Sequence, residues 1–296
     1  MTERKPLIWF LGISFAISWA LFCAPLLLVN ATTEPTTSQL IYTAFFSLGM
    51  WGPGIAAIVT TLFVEKKPFS ALRLNTLGPK RFYLWAWLVP PALTLATLGV
   101  TLLARTGEFD PTLSMMREAL AQVPAEAGLP PVEMLVVIQL ALALTLAPLI
   151  NVVFAMGEEL GWRGYLLPKL LPLGQWRAML LSGAIWGIWH APAIMQGHNF
   201  PGHPYLGSLV MVVGCILMGV ILSWLYLNTR SPWVAALGHG ALNASPGFAL
   251  YFLKPGFDTL WGGLILGVSG WVAMSIFITW LVLTKRLPVP THEASE

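Results

Sequence analysis

Long apolar runs fix the solvent of this chain before any fold is considered. About eight of them, each near the ~20 residues that a helix needs to cross ~30 Å of hydrocarbon, follow one another with short polar or Pro/Gly-bearing connections. They run from Leu7 to Val29, Leu40 to Val64, Phe82 to Ala104, Met134 to Met156, Ala178 to Met195, Tyr205 to Leu227, Trp233 to Leu253 and Leu260 to Thr284. Backbone N–H and C=O groups in lipid are satisfied only in helices or closed barrels, and these runs are too long for barrel strands. Composition agrees, because 56% of the 296 residues are hydrophobic and 10% are charged. With a mean hydropathy of +0.73, too little polar surface remains to coat a water-facing globule. The expected fold class is all-α, a polytopic membrane helical bundle of about eight transmembrane helices with one short interfacial helix.

A net charge of +3 would appear as a basic face in a nucleic-acid binder, but here the Lys and Arg residues sit in short segments between apolar runs. No nucleic-acid partner is expected; the charges report orientation. Arg105, Arg117 and Lys254 share one side with Glu108, Asp110, Glu118, Glu126 and Asp258. The other side holds Arg4, Lys5, Lys66, Lys67, Arg73, Lys80, Arg81, Arg163, Lys169, Arg177, Arg230, Lys285 and Arg286. The positive-inside rule makes that second side cytoplasmic, with both termini, in a membrane of bacterial cytoplasmic type. The first run is longer than the apolar core of a signal peptide and is expected to stay as an uncleaved helix.

The reading divides the chain into residues 1–130, three spans plus an interfacial helix, residues 131–286, a catalytic core of five spans, and a disordered tail at 287–296. Asp110-Pro111 is read as the cap and first turn of the interfacial helix, which runs through Gln122. Cys23 and Cys215 lie in apolar runs, with no CxxC and no spacing for a disulfide framework or zinc knuckle. They are expected as lipid-facing or packing residues.

Ionisable groups in spans cost roughly 2.5 to 3.5 kcal/mol each at the helix centre and so require partners or a wet cavity. Three clusters qualify. In Glu158-Glu159-Leu160-Gly161-Trp162-Arg163, Glu159 and Arg163 stand i,i+4 and can pair, whereas Glu158 points away and is left free. Trp186 lies one turn before His190 and could buttress its imidazole. His239 and Asn243 share a stripe of the seventh run among the small residues Gly238, Gly240 and Ala241. Counted from the basic residues that mark the cytoplasmic edge, His190 and His239 reach similar depth. Glu158 needs a tilt, a kink at Pro148 or a cavity entering from the cytoplasm. The outer-loop residues His198 and His203 read as solvated loop residues that could also bind metal.

A carboxylate and an imidazole can share a water and deprotonate it, and a second imidazole with a carboxamide can donate to an oxyanion. No Gly-x-Ser-x-Gly elbow and no nucleophilic cysteine near the histidines is evident, so water activation is expected. The ordered motifs resemble the CPBP family of CAAX proteases and bacteriocin-processing enzymes, whose signature is EExxxR, an aromatic-xxx-His and HxxxN. The resemblance covers roughly Met156 to Asn243.

It implies that Glu158 with His190 activates water, that His239 and Asn243 stabilise the oxyanion, and that Glu159, Arg163 and Trp186 support the site. Trp186 stands where phenylalanine is common, a change expected to matter little. A Glu/His set could bind zinc, but the type II prenyl-protease branch implies a metal-independent glutamate mechanism, so no cofactor is expected. The resulting expectation is an intramembrane endopeptidase with a site opening to the cytoplasm and acting on a membrane-associated protein or peptide. The alternatives are a non-enzymatic immunity or scaffold protein and a transporter, although no inverted repeat of broken helices is visible.

Overall fold

A computed structural model describes residues 4–121, 123 and 128–290 of the protein. Among these residues there is no strand, only an isolated antiparallel bridge between Phe109 and Leu253, and every apolar run holds helix. The first run is α1 (Arg4–Cys23) with its short continuation α2 (Pro25–Leu28). The second is α3 (Pro35–Gly49) and α4 (Gly52–Val59), extended to Val64 with π spacing, and the third is α5 (Arg81–Leu103). After α6 (Ser114–Leu120), the fourth run forms α7 (Val132–Leu144) and α8 (Leu146–Glu159), prolonged by a π segment, Leu160–Leu166, into α9 (Leu167–Leu170). Then come α10 (Gln175–Trp189), α11 (Ala191–Met195), α12 (Pro204–Thr229), α13 (Pro232–Ala244), α14 (Gly247–Leu250) and α15 (Val268–Leu283).

Among the described residues, four stretches are long and apolar enough to cross a membrane: Arg4–Leu28, Pro35–Val64, Arg81–Leu103 and Pro204–Thr229. A fifth joins them if the bent pair Val132–Leu144 and Leu146–Leu173 is one span. The helices α10, α13 and α15 have 15, 13 and 16 residues, fewer than the apolar runs they overlap. The difference is physical. Hydropathy registers apolar side chains, whereas Pro192, Pro246 and Gly267 interrupt the helix inside or beside an apolar run without making it polar. Large apolar side chains such as Phe63, Leu84, Leu103, Val137, Leu209 and Ile276 point outward. In water such a belt would be an aggregation surface; facing acyl chains it costs nothing. The chain is an integral membrane protein.

Side-chain contacts define two ends of the bundle. At the basic end Lys169 and Lys67 pair with Glu65, Trp233 Nε1 donates to the Leu74 carbonyl at 2.8 Å, and Arg286 lies over Trp280. Gln175 bonds both backbone groups of Val289. Leu287–Pro290 therefore pack against the start of α10, although the tail was expected to be disordered from residue 287; residues 291–296 lie outside the described residues. At the opposite end Lys254 pairs with Glu108, His203 with Asp258 and Arg117 with Glu133, while Gln196 Nε2 donates to the Phe22 carbonyl at 2.8 Å.

The expected interfacial helix begins later than its sequence suggests. Asp110 accepts from the backbone N–H groups of Thr112 and Ser114, so its carboxylate closes a turn and helix starts only at Ser114. Gln122, its expected end, lies outside the described residues.

Candidate active site

The site is built where α8 runs between α4 and α13. Pro148 has no N–H to offer the Leu144 carbonyl, and the chain bends by 50° between α7 and α8. The Leu144 carbonyl takes Trp87 Nε1 at 2.6 Å instead. The kink expected at Pro148 thus falls three residues earlier, at Thr145, the residue between the two helices. Three glycines then permit close helix crossings. A Cβ on Gly157 would lie 2.7 Å from the Met50 carbonyl oxygen, one on Gly240 2.7 Å from that of Pro148, and one on Gly187 2.4 Å from Val212 Cα. These glycines adjoin Glu158, His239 and Trp186, so the helices that carry the candidate residues touch where a side chain is missing.

Glu159 and Arg163 form the expected pair, Nη1 to Oε1 at 2.8 Å, both fully buried. The same Oε1 lies 2.8 Å from His239 Nδ1. Glu159 therefore holds two partners, and His239 is anchored to a different helix as well as sharing its stripe with Asn243. Arg163 also stacks its guanidinium over the Trp186 ring at 4.5 Å. Glu158 has no ion-pair partner among the described residues, but it is not free as expected: Trp186 Nε1 donates to its Oε2 at 2.6 Å. Tryptophan at this position supplies an N–H to Glu158 that phenylalanine would lack.

Trp186 orients both imidazoles. His190 Nδ1 donates to the Trp186 carbonyl at 2.9 Å, and the Trp186 ring lies edge-on to His190 at 5.6 Å and to His239 at 5.3 Å. A proton held at Nδ1 of a neutral imidazole leaves Nε2 of His190 as an acceptor. Cys215, expected away from the histidines, lies 3.8 Å from His190 Nδ1. It is fully buried and does not line the cavity described next, so it contacts the nitrogen already engaged by the Trp186 carbonyl and offers no nucleophile to that space.

Glu158, Trp186, His190, His239 and Asn243 all line one cavity of about 830 Å³. Residues that sequence reasoning did not assign also line it: Asn151, Gln39, Tyr42, Thr43, Gln196 and Asn199. Asn151 was within reach, since it lies two helical turns before Glu158 on the same face. Gln39, Tyr42 and Thr43 stand i, i+3 and i+4 on one face of α3, a polar stripe present in the sequence but without ionisable groups to mark it. Of the two loop histidines, His198 lines the cavity edge-on to Phe46, and His203 binds Asp258 at 2.9 Å.

The cavity opens at the end of the bundle away from most of the basic residues. From Glu158 its lining passes to Gln39, Thr43, His198 and Asn199, at the end of the bundle where Gln196 meets Phe22. Trp162, Tyr165, Leu166 and Leu167, which follow Glu159 towards the basic end, are buried and do not line it. Mouth and basic end lie on opposite faces. A zinc site needs three or four converging protein ligands, and among the described residues no three His, Cys, Asp or Glu side chains gather to hold a metal ion.

The family described as type II CAAX prenyl endopeptidase Rce1-like matches residues 137–245, the segment carrying all seven sequence-selected residues. A CAAX prenyl protease 2 of Methanococcus maripaludis is 31% identical over 85 residues, which is 27% of this chain and 31% of that protein. The aligned part is thus less than a third of that relative's length. Residues 137–245, well under half of the chain, are thus similar to the Rce1-like family of type II CAAX prenyl endopeptidases.

Proposed function

We propose that the protein is an intramembrane endopeptidase that hydrolyses a peptide bond of a membrane-associated protein or peptide, using water activated by Glu158 and His190. The observation that carries this reading is the convergence of Glu158, His190, His239 and Asn243, from three helices, on one cavity within the family match. Water bound between the Glu158 carboxylate and His190 Nε2 gives up a proton as its oxygen attacks the carbonyl carbon. His239 and Asn243 donate to the resulting oxyanion. With the Glu159 carboxylate at Nδ1, His239 donates from Nε2 in its doubly protonated form. Collapse of the tetrahedral species breaks the C–N bond, and the proton taken from water passes to the leaving amine.

Glu159 and Arg163 act at one remove by fixing His239 and the Trp186 ring. The test is comparative peptidomics of membranes from cells carrying wild-type protein or Glu158→Ala. Peptides present only with wild-type protein support the reading and define the cut site. Identical peptide sets, together with retained biological effect in Glu158→Ala and His190→Ala, overturn it in favour of a binding or immunity role.

A further inference from the structure

The position of the cavity mouth bears on which side of the membrane supplies the substrate. All 16 Lys and Arg residues fall within the described part of the chain. Of these, only Arg105, Arg117 and Lys254 stand at the mouth end, and Arg117 and Lys254 are each paired with a glutamate. The basic end holds the start of α1, the Glu65 cluster with Lys67 and Lys169, Arg177 and Arg230 at helix ends, and Arg286 over Trp280. Retention of Lys and Arg on the cytoplasmic side orients such a bundle with its basic end inward. Trp162, Arg163, Leu166 and Leu167 on that side are buried and do not line the cavity, whereas Gln39 and His198, which do, are exposed.

We infer that the cavity receives its substrate from the non-cytoplasmic face, opposite the chain termini. This rests on the proteolytic reading and narrows it to a polypeptide segment that is presented on, or has crossed to, that face. The lining is suited to such a segment. Gln39, Tyr42, Asn151, Gln196, Asn199 and Asn243 offer amide and hydroxyl groups that can pair with an extended main chain, and no lysine or arginine lines the cavity.

The test uses the full chain with Cys23→Ser and Glu158→Ala, so that orientation is read without catalysis. Cys215, being fully buried, stays silent. Into this background go Gln39→Cys or Thr36→Cys at the mouth end, or Ser70→Cys at the basic end, all at exposed positions. Right-side-out vesicles of bacterial cytoplasmic membrane are treated with a membrane-impermeant maleimide before and after permeabilisation. The expected result is labelling of Gln39→Cys and Thr36→Cys in sealed vesicles and of Ser70→Cys only after permeabilisation. The reverse order, equal labelling of both ends in sealed vesicles, or mouth-end labelling only after permeabilisation overturns the inference. None of these outcomes touches the proteolytic reading, which fails separately if the peptide sets are identical.

Discussion

On the cavity side of α8, Glu158 receives one N–H from Trp186 and faces a space shared with His190 and Asn243; on the sealed side, Glu159 is held by both Arg163 and His239 with nothing but protein around it. The two carboxylates are adjacent in the chain and both buried, yet one lines an open cavity and the other is tied to its neighbours. Burial alone does not identify a reactive carboxylate. What distinguishes them is whether a partner already neutralises the charge, and whether the remaining surroundings can admit a substrate.

The largest effect expected from breaking this contrast is at Glu158. Glu158→Gln keeps the shape and removes the base, so hydrolysis falls by about 10²–10⁴-fold while the thermal midpoint in detergent hardly moves. If turnover persists, the cavity-side carboxylate has no chemical role. Removing a partner on the sealed side acts the other way. Arg163→Met leaves the Glu159 charge buried and costs about 3–5 kcal/mol of stability, visible as lost folded protein before any kinetic defect. Glu159→Gln/Arg163→Met recovers part of that loss, because neither charge remains.

Between the two sides stands Trp186, and Trp186→Phe keeps the aromatic ring while deleting the Nε1 donor. Turnover is expected to drop about tenfold, corresponding to about 1.4 kcal/mol of lost positioning, without the instability of Arg163→Met. Full activity would make the N–H to Glu158 incidental.

The smallest effect sharpens the comparison with an ion pair near water. Burial pushes the Glu65 carboxyl up, but Lys169, Lys67 and Tyr165 outweigh it and hold the group below the usual carboxylate range. A carboxyl lowered in the fold contributes stability above its unfolded value and loses it as pH falls through the folded value. Glu65→Gln should therefore melt slightly below wild type at neutral pH, by at most about 1 kcal/mol. The two curves should meet in acid; a gap independent of pH would mean packing and not charge.

Much of this site was legible because its parts are local. The Glu159–Arg163 pair and the closeness of Trp186 to His190 follow from helical spacing, and the glycines beside Glu158, His239 and Trp186 are visible as letters. What spacing cannot report is contact between distant segments. The bonds from Trp186 to Glu158 and from Glu159 to His239 depend on how three helices cross, as does the approach of Cys215 to His190. The apolar runs were equally readable as helix, but their lengths were not, since proline and glycine break a helix without lowering hydropathy. The end of the bundle at which the cavity opens was hidden for a related reason. Charge patterns orient a chain, whereas the open end of a bundle is decided by which helices fail to meet.

The glycines at the helix crossings also set limits for anyone wishing to make this protein hardier. Exchanging glycine for alanine inside a helix usually gains about 0.5–1 kcal/mol. Gly12 in α1 and Gly99 in α5, where an added methyl meets nothing within 4 Å, are the places to try it. At Gly157, Gly187 and Gly240 the same exchange would wedge neighbouring helices apart, so the crossings beside the candidate residues are closed to that kind of reinforcement.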